Sequence, residues 1–121
     1  MKVQSFRELT VWQKSMNLAK DVYVLTKQLP KDELYGLSSQ MRRAAVSVSS
    51  NIAEGQQRRN TKEFIQFIGI AKGSLAELET QLTLTVSLYE VKQSDFSRIM
   101  SLIAEVQKML FGLSSALLAK N

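Results

Sequence analysis

Residues 61–89 read TKEFIQFIGIAKGSLAELETQLTLTVSLY, and this stretch decides the fold class. Apolar residues recur in it at alternating steps of four and three positions, which is the period of an amphipathic α-helix and of a helical-bundle seam. They are Phe64, Ile68, Ala71, Leu75, Leu78, Leu82, Thr85 and Tyr89. The stretch therefore predicts one long helix with a single continuous core face.

One part of this stretch also fits a β-strand. Residues 82–88 alternate apolar and polar side chains and are rich in β-branched residues. A lone strand would leave its backbone N–H and C=O groups without partners, and the helical seam continues through the same residues. We therefore favour the helix and keep the strand as the alternative.

Three further segments show the helical period, one before residue 29, one from about Leu37 and one after residue 93. The first has a main stripe of Leu9, Trp12, Met16, Ala19 and Tyr23 and a second stripe of Val11, Leu18, Val22 and Leu25. The core stripes of the other two are Leu34, Leu37, Met41, Ala45, Val48 and Ile52, and Phe96, Ile99, Ile103, Val106, Leu110, Leu113 and Leu117.

The connections between these segments carry helix-start signals. Asn60 or Thr61 can cap the third helix, and Asn60 with Glu63 has the spacing of a capping box. Ser94 or Asp95 can cap the fourth. Connections of a few residues force neighbouring helices to run antiparallel. The sequence thus predicts an all-α fold, an antiparallel up-down-up-down four-helix bundle, as one domain over residues 1–121.

The composition excludes much of catalytic chemistry. The 121 residues contain no Cys and no His, which removes thiolate and imidazole nucleophiles and the usual zinc ligands. Glu77 and Glu79 are two positions apart and so point away from each other on a helix. We expect no catalytic residue, no metal and no cofactor, and hence no enzyme. A hydrolase would need converging carboxylates that the sequence does not mark.

Uninterrupted apolar runs are too short for a membrane-spanning helix, which needs about 20 residues. The first residues, MKVQSFRE, meet polar side chains too soon for a signal peptide. The sequence therefore predicts a soluble, cytoplasmic protein without a membrane partner.

The positive charge is concentrated in one short stretch. The net charge is +5, and residues 42–62 hold five basic residues against one acidic residue, Glu54. The five are Arg42, Arg43, Arg58, Arg59 and Lys62. Guanidinium groups pair with phosphate, so these are the candidate RNA- or DNA-binding residues. The alternative is a solvated face, since Glu54 and Arg58 have the spacing of a helical ion pair.

The predicted outer faces of the second and third helices carry unusually small side chains. A glycine inside a helix costs about 0.5–1 kcal/mol relative to alanine, and close approach of another helix would offset that cost. Small residues tolerated on a solvent face are the alternative. The predicted oligomer-interface residues are Ser39, Val46, Ser50, Ala53, Gly69, Gly73 and Ala76. Apolar residues outside the main seams favour self-association: Val11, Leu18, Leu25, Ile70, Leu84, Leu102, Met109 and Leu118.

Several motifs together resemble a known family. They are FRELTVWQ at residues 6–13, LPKDE at 29–33, QMRRAAVSV at 40–48, SNIAEG at 50–55 and AKGSLAELET at 71–80. They are similar to the 23S rRNA intervening-sequence proteins, bacterial four-helix bundles related to the accessory variability proteins of diversity-generating retroelements. The resemblance runs from residue 6 to about residue 88, and the fourth helix matches only as an amphipathic pattern.

The resemblance implies a ring-like homopentamer, and the retroelement relatives bind nucleic acid and a reverse transcriptase through a basic barrel. It makes Arg42 and Arg43 the best nucleic-acid candidates. We therefore expect a bacterial, cytoplasmic, non-catalytic homo-oligomer that binds RNA or assists a ribonucleoprotein. The alternative is a structural adaptor that binds another protein and no nucleic acid.

Overall fold

The computed structural model describes residues 5–120 of the chain. Four long helices account for most of it: α1 (Thr10–Thr26), α2 (Leu37–Gln56), α3 (Thr61–Leu88) and α4 (Gln93–Ala119). Two short 3₁₀ turns, Phe6–Glu8 and Lys31–Glu33, precede α1 and α2. The described residues contain no strand, so the all-α prediction is confirmed. The strand alternative for residues 82–88 is wrong, because α3 runs through them.

The start of α3 forms as its sequence predicts, whereas the start of α4 does not. The side chain of Asn60 accepts a hydrogen bond from the Glu63 amide at 2.9 Å and donates one to the Glu63 carboxylate at 2.7 Å. Helix α4 instead begins at Gln93 and has no side-chain cap. The predicted caps Ser94 and Asp95 both lie inside the helix.

The Asp95 carboxylate serves a tertiary contact instead of a cap. It accepts a hydrogen bond from the Gln28 side chain at 2.6 Å and one from Arg98 at 2.6 Å. The Gln28 side-chain oxygen Oε1 in turn accepts a hydrogen bond from the Lys92 backbone amide at 2.8 Å. Gln28 therefore holds the start of α4 against the segment that follows α1.

Each helix packs on two others, α1 and α3 each lying against both α2 and α4. The contacting pairs are Thr26–Arg42 and Ser15–Ser49 for α1 and α2, and Met41–Thr85 and Ser47–Ser74 for α2 and α3. For α3 and α4 they are Glu79–Gln107 and Lys72–Phe111, and for α1 and α4 they are Lys14–Glu105 and Asp21–Arg98. Within each helix pair, residue numbers rise on one member as they fall on the other. The arrangement is consistent with a four-helix bundle.

The predicted seams of α3 and α4 form the core. Their buried members are Ile68, Ala71, Leu75, Leu78, Leu82, Thr85, Ile99, Ile103, Val106 and Leu110. Burial of a leucine or isoleucine side chain contributes about 1.5–3 kcal/mol. The two faces therefore supply much of the free energy that holds the helices together.

The core face of α1 differs from the predicted main stripe. Trp12 and Met16 are only half-buried and Tyr23 is 43% exposed, whereas Leu18 and Leu25 are fully buried. The second stripe points to the bundle axis because α1 packs between α2 and α4. Leu18 and Leu25, together with buried Val11, are thus core residues and cannot support the predicted self-association.

Helix α4 is more apolar than a core helix requires. By length and composition it could cross a membrane, with a mean hydropathy of 1.4 over an 18-residue window of which 22% is buried. The uninterrupted apolar runs of the sequence do not predict a membrane-spanning helix here, because single polar residues divide the apolar stretches of α4. Phe111 is 67% exposed and Leu118 is 60% exposed. The outer side of α4 is therefore an apolar surface.

Candidate nucleic-acid interface

The five predicted phosphate-binding residues lie in two groups. Arg42 and Arg43 lie near the beginning of α2, whereas Arg58 and Arg59 follow its end and Lys62 lies in the first turn of α3. Sixteen positions of helix correspond to roughly 24 Å. One chain therefore does not bring the two groups together at a single phosphate.

Arg42 is held in an intramolecular contact. Its Nε atom donates a hydrogen bond to the Thr26 hydroxyl at 2.9 Å, and its guanidinium lies 4.6 Å from the centre of the Tyr23 ring. Thr26 itself donates to the Tyr23 carbonyl at 2.9 Å. Arg42 thus joins α1 to α2, and part of its binding capacity is used within the chain.

Arg58 is also engaged. It forms the ion pair with Glu54 that the sequence spacing indicates, at 2.8 Å, and approaches Glu63 at 4.0 Å. Its guanidinium lies over the Phe67 ring, 4.7 Å from the centre. Two carboxylates therefore offset the charge of Arg58, which stabilises the connection between α2 and α3.

Arg43, Arg59 and Lys62 differ from Arg42 and Arg58 in the contacts of their side chains. All three are exposed, and within residues 5–120 none forms an ion pair or a hydrogen bond through its side chain. An exposed cation that forms no ion pair keeps its charge for a partner in solution. These three are the predicted residues that the fold leaves available.

The fold adds two cations that the sequence analysis missed. The turn Phe6–Glu8 packs against α2, and Phe6 lines a groove with Ala53 near the end of that helix, which brings Arg7 to the same end of the bundle. The Glu79–Gln107 and Lys72–Phe111 contacts set the register of α4 along α3, and continuing this register brings Lys120 to about the level of Lys62. We call Arg7, Arg58, Arg59, Lys62 and Lys120 the basic end. Its acidic residues are Glu8, Glu54 and Glu63.

A polar groove lies between α2 and α3 at the position of Arg43. Its volume is about 520 Å³, and it is lined by Tyr35, Ser39, Gln40, Arg43, Ala44, Ser47, Glu77 and Gln81. We call it the α2–α3 groove. Arg43 and Glu77 both line it without forming an ion pair. The side-chain carbonyl oxygen of Gln81 is buried and has no hydrogen-bond partner within residues 5–120.

The seven predicted interface residues lie on separate surfaces. Val46, Ser50 and Ala53 line an apolar groove of about 300 Å³ between α1 and α2, with Phe6, Trp12, Met16, Ala19 and Ser49. Gly69 and Gly73 lie on the outer face of α3, where an added Cβ would meet nothing within 4 Å. Ala76 lies on the same outer face, beside Thr80. Ser39 belongs to the α2–α3 groove.

The perturbed carboxyl groups have structural partners. The hydrogen bond from Tyr89 lowers the pKa of Glu33, and the Leu37 amide adds to the effect. The hydrogen bond from Arg98 lowers the pKa of Asp95, followed by that from Gln28. A general acid at neutral pH needs the opposite shift. Among residues 5–120, no group of three acidic side chains could hold a metal ion.

The chain matches the family described as 23S rRNA-intervening sequence protein over residues 7–112. It belongs to that family. The match reaches into α4, beyond the segment that carries the motif resemblance. No curated protein matches the chain significantly.

A solved structure has the same fold. It is a protein of unknown function from the S23 ribosomal protein family of Bacteroides thetaiotaomicron, 25% identical in sequence, with a TM-score of 0.79. The similarity covers 87% of this chain and 98% of that one. The two chains thus share one fold over most of their length.

Proposed function

We propose that the protein is a non-catalytic, cytoplasmic RNA-binding or ribonucleoprotein accessory protein that needs no cofactor. The observation that carries the proposal is the set of exposed cations without acidic partners, Arg59 and Lys62 at the basic end and Arg43 in the α2–α3 groove. Cations of this kind bind phosphate mainly by releasing counterions, without reading sequence. The family description, which refers to 23S rRNA, favours RNA over DNA.

The proposal includes self-association. Contacting pairs support an antiparallel up-down-up-down order of the helices, which leaves the apolar α1–α2 groove and the outer face of α3 on different sides of the chain. Two different surfaces that bind each other across copies generate a ring when the rotation closes. We propose the homopentamer that the family resemblance implies. A ring would repeat the basic end around its axis and raise the local field.

Titration of a fluorescent RNA at about 50 and 200 mM salt tests the proposal. A single-stranded RNA of about twelve nucleotides is long enough, because roughly 24 Å corresponds to at most about seven phosphates, even at the compact spacing of about 3.4 Å along one strand of a duplex. Changing Arg43, Arg59 and Lys62 together to Ala should weaken binding about tenfold or more. It should also reduce the slope of log K against log[salt] by about 2.

A matched control variant separates the effect of residue position on RNA binding from the effect of net charge. Lys20, Lys27 and Lys108 are exposed and form no ion pair within residues 5–120. Changing these three to Ala also removes three charges from the net charge of +5. We expect a smaller loss of affinity than in the first variant. Equal losses would contradict a defined interface, and absence of binding at the lower salt would overturn the proposal.

The second candidate is a protein-binding adaptor. The exposed apolar side of α4, with Phe111 and Leu118, favours it. Light scattering shows whether this apolar surface joins copies of the chain or is left for another protein. Five copies of 13.6 kDa have a mass of about 68 kDa. A monomeric protein that binds no RNA would favour the adaptor.

A further inference from the structure

Phe111 is an exposed aromatic ring with a cation beside it. It lies on the outer side of α4 and is 67% exposed, and the Lys72 ammonium of α3 lies 5.6 Å from the ring centre. The other cations over aromatic rings within residues 5–120 are three arginines, at 4.6–4.9 Å. A planar guanidinium can cover a ring face, whereas a compact ammonium at a longer distance leaves most of the ring open. The Phe111 ring is therefore accessible to a second flat group.

Lys72 keeps its charge for a ligand. In the described part of the chain, residues 5–120, its side chain forms no ion pair and no hydrogen bond. The contact of an exposed ammonium with a ring is weak in water, so Lys72 can bind a phosphate beside the ring at little cost. Gly112, the residue after Phe111, has open space around it, because an added Cβ would meet nothing within 4 Å. A ligand can therefore reach the ring and the cation together.

The basic end lies within reach of this ring along α3. Lys72 and Lys62 are ten positions apart on that helix, which corresponds to roughly 15 Å. One strand of nucleic acid spans that distance in about four or five nucleotides, at about 3.4 Å each. Leu118, two turns beyond Phe111 on the same side of α4, is 60% exposed and extends the apolar surface towards the basic end. One strand can therefore contact the ring and the basic end at once.

A ring beside a cation fits an unpaired nucleotide. Every base has a flat face that stacks on an aromatic ring, and every nucleotide has a phosphate that pairs with a cation. The bases of a duplex are already stacked on each other, so a duplex offers the ring no free face. An apolar protein partner would explain the exposed ring but not the lysine beside it, since lysine is depleted at protein interfaces. The combination therefore favours a single strand.

We propose that Phe111 and Lys72 form a site for one unpaired nucleotide of a single-stranded RNA. The base stacks on the Phe111 ring, its phosphate pairs with Lys72, and the strand continues to the basic end. The site takes any base, because stacking involves the face of the base and not its edge. This inference rests on the proposed function and adds a preference for unpaired RNA to it.

Three probes of about twelve units separate stacking from charge. They are an unstructured single-stranded RNA, the same RNA in a duplex with its complement, and a chain of abasic tetrahydrofuran phosphates, which keeps the phosphates and lacks the bases. Phe111→Leu keeps an apolar side chain and removes the ring. By fluorescence anisotropy, this variant should bind the single-stranded RNA about fivefold or more weakly, the loss typical of one stacked base. Its binding of the duplex and of the abasic chain should not change.

Further variants separate the roles of the two residues. Phe111→Tyr keeps the ring and should bind as the wild type does. Lys72→Ala should weaken binding of the single-stranded RNA and of the abasic chain alike, and should reduce the slope of log K against log[salt] by about 0.7. Phe111→Leu should leave that slope unchanged. Tyr35→Leu is the control, because this ring is 92% exposed but precedes α2, at the opposite end of the bundle from the basic end. It should bind all three probes as the wild type does.

The outcomes distinguish the two proposals. The stacking site is wrong, and RNA binding remains, if Phe111→Leu binds the single-stranded RNA as tightly as the wild type or loses affinity equally for all three probes. The same holds if Tyr35→Leu shows the loss expected of Phe111→Leu. Absence of wild-type binding to every probe at low salt overturns the proposed function itself. If light scattering shows that Phe111→Leu changes the mass of the assembly, Phe111 lies between copies and the stacking site is wrong.

Discussion

The inner face of α3 is buried in the bundle core, whereas its outer face is exposed. On the inner face, Ile68, Leu75 and Leu82 are fully buried in the bundle core. On the outer face, Gly69 and Gly73 face open space. Large residues on the inner face are explained by the monomer, whereas glycines on the outer face cost the monomer stability. The single chain therefore does not explain the glycines of the outer face, and the proposed self-association can be tested there.

A third glycine sharpens this contrast. An added Cβ at Gly55 would come within 2.7 Å of the Phe67 Cβ and 2.9 Å of the Phe64 ring. Gly55 thus permits a close approach of α2 and α3, and the monomer alone explains it. Among residues 5–120, no comparable contact exists at Gly69 or Gly73, so the packing of the single chain does not explain these two glycines.

The largest expected effect is on the inner face. Leu75→Ala should lower the free energy of unfolding by about 2–5 kcal/mol, because it leaves a cavity in a fully packed site. Leu84→Ala on the other side of α3, where Leu84 is 48% exposed, should cost about 0.5 kcal/mol or less. Chemical denaturation at one fixed protein concentration measures both. Similar losses would contradict the difference between the faces.

The next effect concerns the seam between α2 and α3. Gly55→Ala should lower the free energy of unfolding by about 1–3 kcal/mol, because the Phe67 Cβ cannot move without its backbone. The control is Gly112→Ala on α4, where an added Cβ meets nothing within 4 Å. That substitution should raise stability by about 0.5–1 kcal/mol. A stabilised Gly55 variant would show that the helices are not in close contact.

A smaller effect tests the outer face. In dilute solution Gly73→Ala should raise the free energy of unfolding by about 0.5–1 kcal/mol, because alanine is the better helix former. At high concentration the gain should disappear and the assembly should dissociate more easily, since the methyl group separates the two copies. Denaturation and light scattering over a concentration series measure this. An equal gain at every concentration would mean that Gly73 faces solvent.

The helices themselves follow from sequence wherever one apolar period dominates. The seams of α3 and α4 and the Asn60 cap are local patterns, and the structure confirms them. Helix α1 carries two apolar stripes, and the choice between them depends on where its two neighbours pack. The predicted cap at Asp95 fails for the same reason, because a tertiary contact with Gln28 takes its carboxylate.

The candidate interface is harder to predict from the sequence than the helices are. Local spacing identifies the Glu54–Arg58 pair but not the contacts of Arg42 with Thr26 and Tyr23, which lie 16 and 19 positions away in sequence. Arg7 and Lys120 reach the basic end only through the packing of the chain. The α2–α3 groove joins residues 35–47 to residues 77–81, and no motif marks such a pairing.

The smallest expected effect is on the pH dependence of stability. At the end of α3, Tyr89 donates a hydrogen bond to Glu33 at 2.5 Å. This bond lowers the pKa of Glu33 and raises that of Tyr89. A lowered carboxyl pKa means that the stabilisation is present above the unfolded pKa and is lost as pH falls through the folded value. For Tyr89 the stabilisation is lost as pH rises through its raised pKa.

Tyr89→Phe should therefore lower the melting temperature at neutral pH, and its difference from the wild type should shrink below about pH 4 and above about pH 10. Tyr35→Phe is the control, because the Tyr35 side chain is exposed and has no hydrogen bond to lose within residues 5–120. Its difference should stay near zero at every pH. A Tyr89→Phe difference that does not vary with pH would mean that packing, and not the bond to Glu33, fixes the end of α3.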